Sequence, residues 1–203
     1  MDYNGNIGGI NLVGNIYITM MPLIFAGIFN MIFTKTNLYK KNKFPIDFGR
    51  NFVDGKRLFG DNKTYIGFVS MIMFCLIFQV IWGIICCKFE FENFNELYLI
   101  YSNTIHFNIL VGLLFGFTYM ICELPNSFIK RRINIVPGKT DKGLKGVIFF
   151  VIDQIDSLIG VFFVLMLLNG MSFSRYLLYL LVGAVTHILI NLLLYGLRIR
   201  RNV

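Results

Sequence analysis

Histidine, cysteine and acidic residues are scarce in this sequence. The 203 residues include 2 histidines, 4 cysteines and 11 aspartates and glutamates, and there is no internal repeat or low-complexity tract. The cysteines show no CxxC spacing and lie inside or at the ends of apolar segments, where cysteine is most often a packing residue. This pattern argues against a disulfide framework or a zinc cluster. Any chemistry therefore depends on a few polar side chains in a mostly apolar chain.

Apolar residues are abundant instead. They make up 56% of the chain, and the mean hydropathy of +0.67 exceeds that of water-soluble domains of this length. They fall in blocks of about 20 residues, the length at which a helix rising ~1.5 Å per residue crosses a ~30 Å hydrocarbon layer. The sequence predicts one membrane-embedded, all-α domain over residues 1–203. Its five transmembrane helices are predicted at 12–33, 65–87, 97–124, 147–168 and 176–197.

Lysine and arginine are distributed unevenly between the predicted loops. The loop near 34–64 contains 8 of them, the loop near 127–146 contains 6, and 3 follow the last span. The loops on the other side contain only Lys88 and Arg175. Because basic segments resist translocation, the sequence predicts a multi-pass protein of the cell membrane, with its N-terminus outside and its C-terminus and basic loops in the cytoplasm. The positive charge fits either attraction to anionic lipid head groups or a site for a polyphosphate.

Two carboxylates lie inside the fourth predicted span. Asp153 and Asp156 are three residues apart, so they share one helix face, with Cβ atoms ~5–6 Å apart. One ionised Asp at the centre of a membrane helix costs about 2.5–3.5 kcal/mol, and a second like charge beside it costs more. A Mg²⁺ ion bridging both would offset this cost, since Mg²⁺ typically binds one or two protein carboxylates. The alternatives are a cation from another helix, or a protonated member as in proton-coupled transporters.

Other polar groups accompany this pair. The run Lys-Arg-Arg at 130–132 is joined to Asp153 by a short loop, so phosphate-binding cations and metal-binding carboxylates can converge. The segment 60–64, Gly-Asp-Asn-Lys-Thr, enters the second span and can offer backbone N–H groups and a lysine to an anion, although it forms no P-loop. In the last span, His187 and Asn191 share a helix face and are predicted to pack between helices.

Four segments resemble a known family. They read PIDFGRNFVDGKRLFGDNKT at 45–64, ELPNSFIKRRINIVPG at 123–138, DQIDSLIG at 153–160 and THILIN at 186–191. Together they resemble the CTP-dependent lipid cytidylyltransferases, and most closely the archaeal branch, CDP-archaeol synthase. The chain departs from the larger CDP-diacylglycerol synthases because it lacks a His-Gly-Gly element before the paired aspartates and has Gln154 where they have arginine.

The resemblance implies a CTP:lipid-phosphate cytidylyltransferase of phospholipid biosynthesis, which uses Mg²⁺ and forms a CDP-lipid and pyrophosphate. It implies that Asp153 and Asp156 bind the metal and act in catalysis with Lys130 and Arg131. The substrate-binding residues that it implies are Gly60, Asp61, Asn62, Lys63, Thr64, Asn126, Ser127, Arg132, Gly138 and Lys139. The partners are then CTP, a lipid phosphate and membrane lipids, and no nucleic acid. The alternative function is a small ion- or proton-coupled membrane transporter that uses the same Asp pair.

Overall fold

The regular secondary structure of the described residues consists of five long helices and two short ones. The computed structural model describes residues 12–138 and 143–197. The α-helices are α1 Leu12–Phe33, α2 Asn37–Lys41, α3 Tyr65–Lys88, α4 Ile105–Arg132, α5 Gly143–Asn169 and α6 Phe173–Gly196, with a 3-10 helix at Phe91–Phe94. Within these ranges the only β pairing is two isolated bridges. All helices except α2 and the 3-10 helix are long and apolar enough to cross a membrane. The predicted all-α, five-span membrane fold is confirmed.

The third membrane helix begins later than its predicted span, 97–124. α4 starts at Ile105, where the hydroxyl of Thr104 accepts a hydrogen bond from the Phe107 N–H at 3.2 Å. This side chain satisfies one of the backbone N–H groups that a helix N-terminus leaves without a partner. Residues 97–104 form no helix. The apolar residues at the start of this segment therefore led to a predicted helix start that is wrong.

The same helix also ends later than predicted. α4 continues through Pro125 to Arg132, so the predicted end at 124 is wrong. A proline inside a helix removes one backbone hydrogen bond, but here Asn126 and Ser127 directly after it are buried in the bundle, and their packing sustains the helix. The loop predicted near 127–146 is correspondingly shorter, and its basic run is carried by a helix.

α4 lies between α3 and α5, and its backbone approaches that of α3 closely. Gly112 and Gly116 are one helical turn apart, the small-xxx-small spacing of membrane helix pairs. A Cβ atom added at Gly112 would lie 2.6 Å from Leu76 Cα, and one added at Gly116 would lie 2.6 Å from Ile72 Cα. A larger side chain at either position would push the helices apart, so these two glycines set the distance between α3 and α4.

The first loop, residues 34–64, folds around the buried carboxylate of Asp47. This carboxylate accepts hydrogen bonds from three backbone N–H groups of the same loop at 2.9–3.0 Å and from the Arg57 guanidinium at 2.7 Å. Burial alone would raise the pKa of Asp47, but the guanidinium and the N–H groups outweigh it and lower the pKa to about 2. The charged carboxylate is therefore the centre that gives this loop its shape.

Replacing Asp47 with Asn is predicted to destabilise the protein at neutral pH. The pKa of Asp47 is lower in the folded chain than the value of about 3.9 expected in the unfolded chain, so the stabilisation is present above pH ~5 and is lost as the pH falls toward 2. We expect a cost of about 1–2 kcal/mol at pH 7 that shrinks at pH 3, measured by thermal unfolding in detergent. The control is Asp61→Asn, since Asp61 also pairs with Arg57 but is exposed. An equal effect of both substitutions would contradict the central role of Asp47.

The first loop contacts the end of α4. Lys56 Nζ donates to the Arg132 carbonyl oxygen at 2.6 Å, and the Arg132 guanidinium forms an ion pair with Asp54 at 2.9 Å. These contacts place the first loop and the α4–α5 connection at the same end of the bundle. The two basic regions that the sequence assigns to one side of the membrane therefore meet.

A membrane-impermeant thiol reagent is predicted to label intact cells that carry Asn93→Cys but not those that carry Lys43→Cys. Asn93 and Lys43 are both exposed, the first in the 3-10 helix and the second in the first loop. The bias of basic residues predicts the first loop in the cytoplasm. The native Cys87 is exposed and is replaced by Ser in both variants. Both positions react once the cells are permeabilised, and labelling of Lys43→Cys in intact cells would invert the orientation.

Candidate active site

A polar cavity lies at the end of the bundle where the first loop meets α4. It has a volume of about 330 Å³ and is bordered by the first loop, α4, α5 and α6. Its polar and charged lining residues are Asn62, Lys63, Glu123, Asn126, Ser127, Lys130, Arg131, Asp153, Gln154, Asp156, His187 and Asn191. Ionisable side chains in a membrane protein are costly and mark functional sites by default. This cavity is therefore the candidate active site.

Asp153 and Asp156 face α4 from the same side of α5. The Asn126 side-chain nitrogen donates to Asp153 Oδ1 at 2.6 Å and to Asp156 Oδ2 at 2.7 Å. The Lys130 ammonium binds both carboxylate oxygens of Asp153. The sequence analysis named a cation from another helix as one group that could offset the charge of the two carboxylates. In the structure, Lys130 of α4 is such a cation. The two carboxylates and their two donors on α4 form one connected cluster.

A second charged pair borders this cluster. Lys63, at the end of the first loop, forms an ion pair with Glu123 on α4, and each side chain is about 20% exposed. Burial would lower the pKa of Lys63, but the charge and hydrogen bond of Glu123, together with the charges of Asp156 and Asp153, outweigh burial and raise the pKa, so the ammonium stays protonated. The cavity wall therefore combines three carboxylates, Glu123, Asp153 and Asp156, with the ammonium groups of Lys63 and Lys130.

Arg131 contributes a further cation to the wall. Its Nε makes one long hydrogen bond, at 3.5 Å, to the Ser127 carbonyl oxygen. Its Nη1 is buried and has no hydrogen-bond partner within the described residues. A buried donor without an acceptor is unfavourable, whereas a guanidinium binds phosphate oxygens strongly. Arg131 is therefore suited to bind an anion that enters the cavity.

Only part of the predicted substrate-binding segment 60–64 lines the cavity. Its other residues make contacts that hold the first loop in place. Asn62 and Lys63 line the cavity. Gly60 does not. Its backbone has a φ of +97°, and a Cβ atom there would lie 2.7 Å from Pro137 Cγ, so only glycine fits at this contact between the first loop and the α4–α5 connection. Gly60 brings its neighbours to the cavity without lining it.

Asp61 and Thr64, also predicted to bind substrate, have structural partners outside the cavity. The exposed Asp61 forms an ion pair with Arg57 at 2.8 Å. The Thr64 hydroxyl accepts a hydrogen bond from the Gly67 N–H at 3.1 Å and so caps α3. It also lies 2.9 Å from the Tyr39 hydroxyl of α2. The Asp61 ion pair lies within the first loop, and Thr64 joins the end of this loop to α3.

Arg132 lies outside the cavity lining as well. Its guanidinium binds Asp54 at 2.9 Å and stacks on the Phe128 ring at 3.9 Å from the centroid, which joins the first loop to α4. Three other residues of the predicted binding set do line the cavity, namely Asn126, Ser127 and Gly138. Lys139 lies outside the described residues.

Glu123 and Gln154 are among the cavity residues that reasoning from the sequence missed. Glu123 lies one helical turn before Asn126, and an acidic residue at the end of an apolar span is a signal that could have identified it. Gln154 lies between the paired aspartates and binds α6. Its backbone carbonyl oxygen is 3.2 Å from His187 Nδ1, and its Oε1 accepts from Asn191 Nδ2 at 2.8 Å. These contacts join α5 to α6, as the predicted packing of His187 and Asn191 requires.

The fold is shared with a solved structure described as "Structural insight into an intramembrane enzyme for archaeal membrane lipids biosynthesis". The TM-score is 0.60 and the sequence identity is 19%, with 87% of this chain and 92% of that chain covered. At this identity the likeness establishes the fold alone. It agrees with the five membrane helices found here, so the chain is a multi-pass membrane protein.

The sequence comparisons define the family. The family model described as "CarS-like: CDP-archaeol synthase" matches residues 10–203. The CDP-archaeol synthase of Sulfurisphaera tokodaii is 30% identical over 188 residues, which cover 89% of this chain and 98% of the relative. That of Methanocaldococcus jannaschii is 28% identical over 156 residues, which cover 77% and 81%. The chain therefore belongs to the CDP-archaeol synthase family. The resemblance noted in the sequence is confirmed, and the transporter alternative is not supported.

Replacing Lys130 with Ala is predicted to lower turnover of CTP with a lipid phosphate by about 100-fold. Its ammonium lies in a partly dry cavity, where a charge-assisted contact to a developing negative charge is strongest. The matched control is Lys40→Ala, because Lys40 is an exposed lysine of α2 that does not line the cavity. Initial rates of CTP consumption measure both. Small and equal effects would show that the basic residues serve membrane anchoring instead.

Proposed function

We propose that the chain transfers the CMP group of CTP to a membrane lipid phosphate, which gives a CDP-lipid of the CDP-archaeol type and pyrophosphate. One observation carries this proposal. In a chain of the CDP-archaeol synthase family, Asp153 and Asp156 meet Lys130 and Arg131 in a single cavity at one end of the membrane bundle. The basic residues around that end favour a cavity that opens to the cytoplasm of the cell, where CTP is available.

The reaction needs alignment and charge neutralisation more than proton transfer. An oxygen of the lipid phosphate forms a bond to the α-phosphorus of CTP. The bond from that phosphorus to the bridging oxygen of the β-phosphate breaks, and pyrophosphate leaves with the electron pair. The attacking phosphate is already ionised, so no strong general base is required. The two substrates are both polyanions, and Lys63, Lys130 and Arg131, the lysine and arginine side chains of the cavity wall within the described residues, let them approach each other.

Asp153 and Asp156 are proposed to hold Mg²⁺. Over residues 12–138 and 143–197, no group of three or more His, Cys, Asp and Glu side chains is arranged to hold a metal ion. Mg²⁺ suits a site of two carboxylates, because water and phosphate oxygens fill its other positions. When bound, the ion supplies positive charge to the phosphates. With the ion bound, Asp153 would no longer need Lys130 as its counter-charge, and the ammonium would be available to donate to a phosphate oxygen.

We assign the nucleotide to the side of the cavity formed by the first loop. Asn62 and Lys63 line this side, and Gly138 lies against Asn62. A Cβ atom at Gly138, where φ is +74°, would lie 2.9 Å from the Asn62 side-chain nitrogen. The absence of a side chain at Gly138 therefore leaves the Asn62 amide in place. Ser127, buried on α4, borders the same space.

A second cavity supports a lipid as the acceptor. It is a narrow groove of about 60 Å³ between α1 and α6, lined mostly by apolar side chains such as Leu23 and Ile24. The groove and the polar cavity share Met31, Tyr119 and His187 in their walls. A molecule with a phosphate head group and an apolar chain fits such an arrangement, with the phosphate in the polar cavity and a chain in the groove. A water-soluble acceptor would have no use for the groove.

Asp153→Asn and Asp156→Asn are each predicted to remove nearly all Mg²⁺-dependent CDP-lipid formation while the protein still folds. Asn keeps the shape of the side chain and lowers the cost of burial, so the protein still folds, although Asp153→Asn removes the partner of Lys130 together with the charge that binds the cation. Because the two carboxylates act as one site, the double variant should be scarcely worse than either single variant. The measurement is the conversion of labelled CTP to CDP-lipid by purified protein at several Mg²⁺ concentrations.

The matched control for these variants is Glu90→Gln. Glu90 is an exposed carboxylate that precedes the 3-10 helix, away from the cavity lining, and its neutralisation should leave turnover within about twofold of wild type. Wild-type turnover in the Asn variants would refute the assignment of Asp153 and Asp156. Additive losses in the double variant would refute the single shared site.

A further inference from the structure

In the side-chain amide of Asn126, the nitrogen donates hydrogen bonds and the oxygen has no partner within the described residues. Its nitrogen lies 2.6 Å from Asp153 Oδ1 and 2.7 Å from Asp156 Oδ2. Its oxygen, Oδ1, is buried and accepts no hydrogen bond within the described residues. Asn126 itself is only 7% exposed. A buried carbonyl oxygen without a donor is unusual in a folded protein and points to a ligand that this oxygen binds.

We propose that the Asn126 side-chain oxygen is the third protein ligand of the cation held by Asp153 and Asp156. This inference rests on the proposed function, which places a Mg²⁺ ion at those carboxylates. A half-turn of the amide about its Cβ–Cγ bond exchanges the nitrogen and the oxygen at nearly the same two points. The oxygen then replaces the nitrogen between the two carboxylates, and the nitrogen replaces the buried oxygen.

The distances suit a cation bound by all three oxygens. Adjacent ligands of an octahedral Mg²⁺ with bonds of 2.0–2.1 Å are about 2.9 Å apart. The present separations of 2.6 and 2.7 Å between the amide and the two carboxylates are close to that value. Asn126 thus needs to change the direction of its amide and little else. Neutral amide oxygens are normal ligands of hard cations in proteins.

The electrostatics of the cluster explain why the amide presents its nitrogen to bare carboxylates. Two carboxylates attract donors, and Asn126 supplies N–H groups while Lys130 supplies an ammonium. A divalent cation between the carboxylates reverses this preference, because it repels both donors and attracts the amide oxygen. Asn126 therefore serves the pair in both situations, as a donor without the ion and as a ligand with it.

Asn191 provides a matched control within the same cavity. Its Oδ1 is also buried without a hydrogen-bond partner in the described ranges, and its nitrogen donates to a neutral oxygen, Gln154 Oε1, at 2.8 Å. It lines the same cavity as Asn126. The difference between the two amides is that the nitrogen of Asn126 contacts carboxylates and the nitrogen of Asn191 contacts a neutral amide.

The test measures Mn²⁺ binding to purified full-length protein in detergent, without CTP or lipid, from the loss of the free-ion signal in electron paramagnetic resonance. Asn126→Ala is expected to weaken Mn²⁺ binding at least tenfold, and Asn191→Ala to change it less than twofold. Asn126→Asp, which keeps an oxygen at this position, should bind Mn²⁺ at least as tightly as wild type. Unchanged or tighter binding by Asn126→Ala would overturn the proposal, because an amide that is only a donor competes with the ion.

A second measurement needs no variant that could fail to fold. Wild-type protein labelled with ¹³C at the asparagine side-chain carbonyl is expected to show a shifted carbonyl stretch in the infrared difference spectrum when Mn²⁺ is added. The absence of any shift at saturating Mn²⁺ overturns the proposal.

The variant Asp153→Asn distinguishes a failure of the Asn126 proposal from a failure of the proposed function. If Asp153→Asn leaves Mn²⁺ affinity unchanged, both the Asp site and the Asn126 ligand fail, whereas loss in Asp153→Asn with none in Asn126→Ala overturns the Asn126 ligand alone.

Discussion

Two carboxylates on a membrane helix carry a cost of several kcal/mol unless opposite charge lies beside them, and the polar end of this bundle is arranged to meet that requirement. Asp153 and Asp156 receive the Lys130 ammonium and the Asn126 amide from α4. Glu123 receives Lys63 from the first loop. Each carboxylate of the cavity thus accepts a hydrogen bond from a residue of another structural element. The site therefore exists only when α4, α5 and the first loop are assembled.

The assembly of these elements depends on features far from the cavity. The glycines at positions 112 and 116 bring the α3 and α4 backbones together, and α4 then reaches beyond Pro125 to present its basic run on a rigid helix. The first loop is given its shape by the buried carboxylate of Asp47 and is fastened to α4 by Arg132. Lys63 therefore meets Glu123 through a loop that is held by backbone hydrogen bonds and by charge-assisted bonds to Asp47, and the charge-assisted bonds are about twice as strong as neutral ones.

Much of this architecture follows from the sequence, and the exceptions have physical causes. The length of the apolar blocks predicts the five spans, because the thickness of the bilayer sets how many apolar residues a membrane helix needs. It does not predict the extent of α4, because helix continuation through Pro125 depends on the burial of Asn126 and Ser127. The segment 60–64 shows a similar limit. Sequence proximity cannot distinguish Lys63, which lines the cavity, from Thr64, whose hydroxyl caps α3.

The groove between α1 and α6 has a kinetic consequence. It lies between two membrane helices and adjoins the polar cavity through Met31 and His187, so under the proposed function an acceptor lipid would reach the reacting phosphates by lateral diffusion and its product would return the same way. The quantity that sets the rate of encounter is then the mole fraction of acceptor in the bilayer, not its amount per volume of solution. Adding inert lipid at constant total acceptor would slow such an enzyme, whereas concentrating the same vesicles would not speed it.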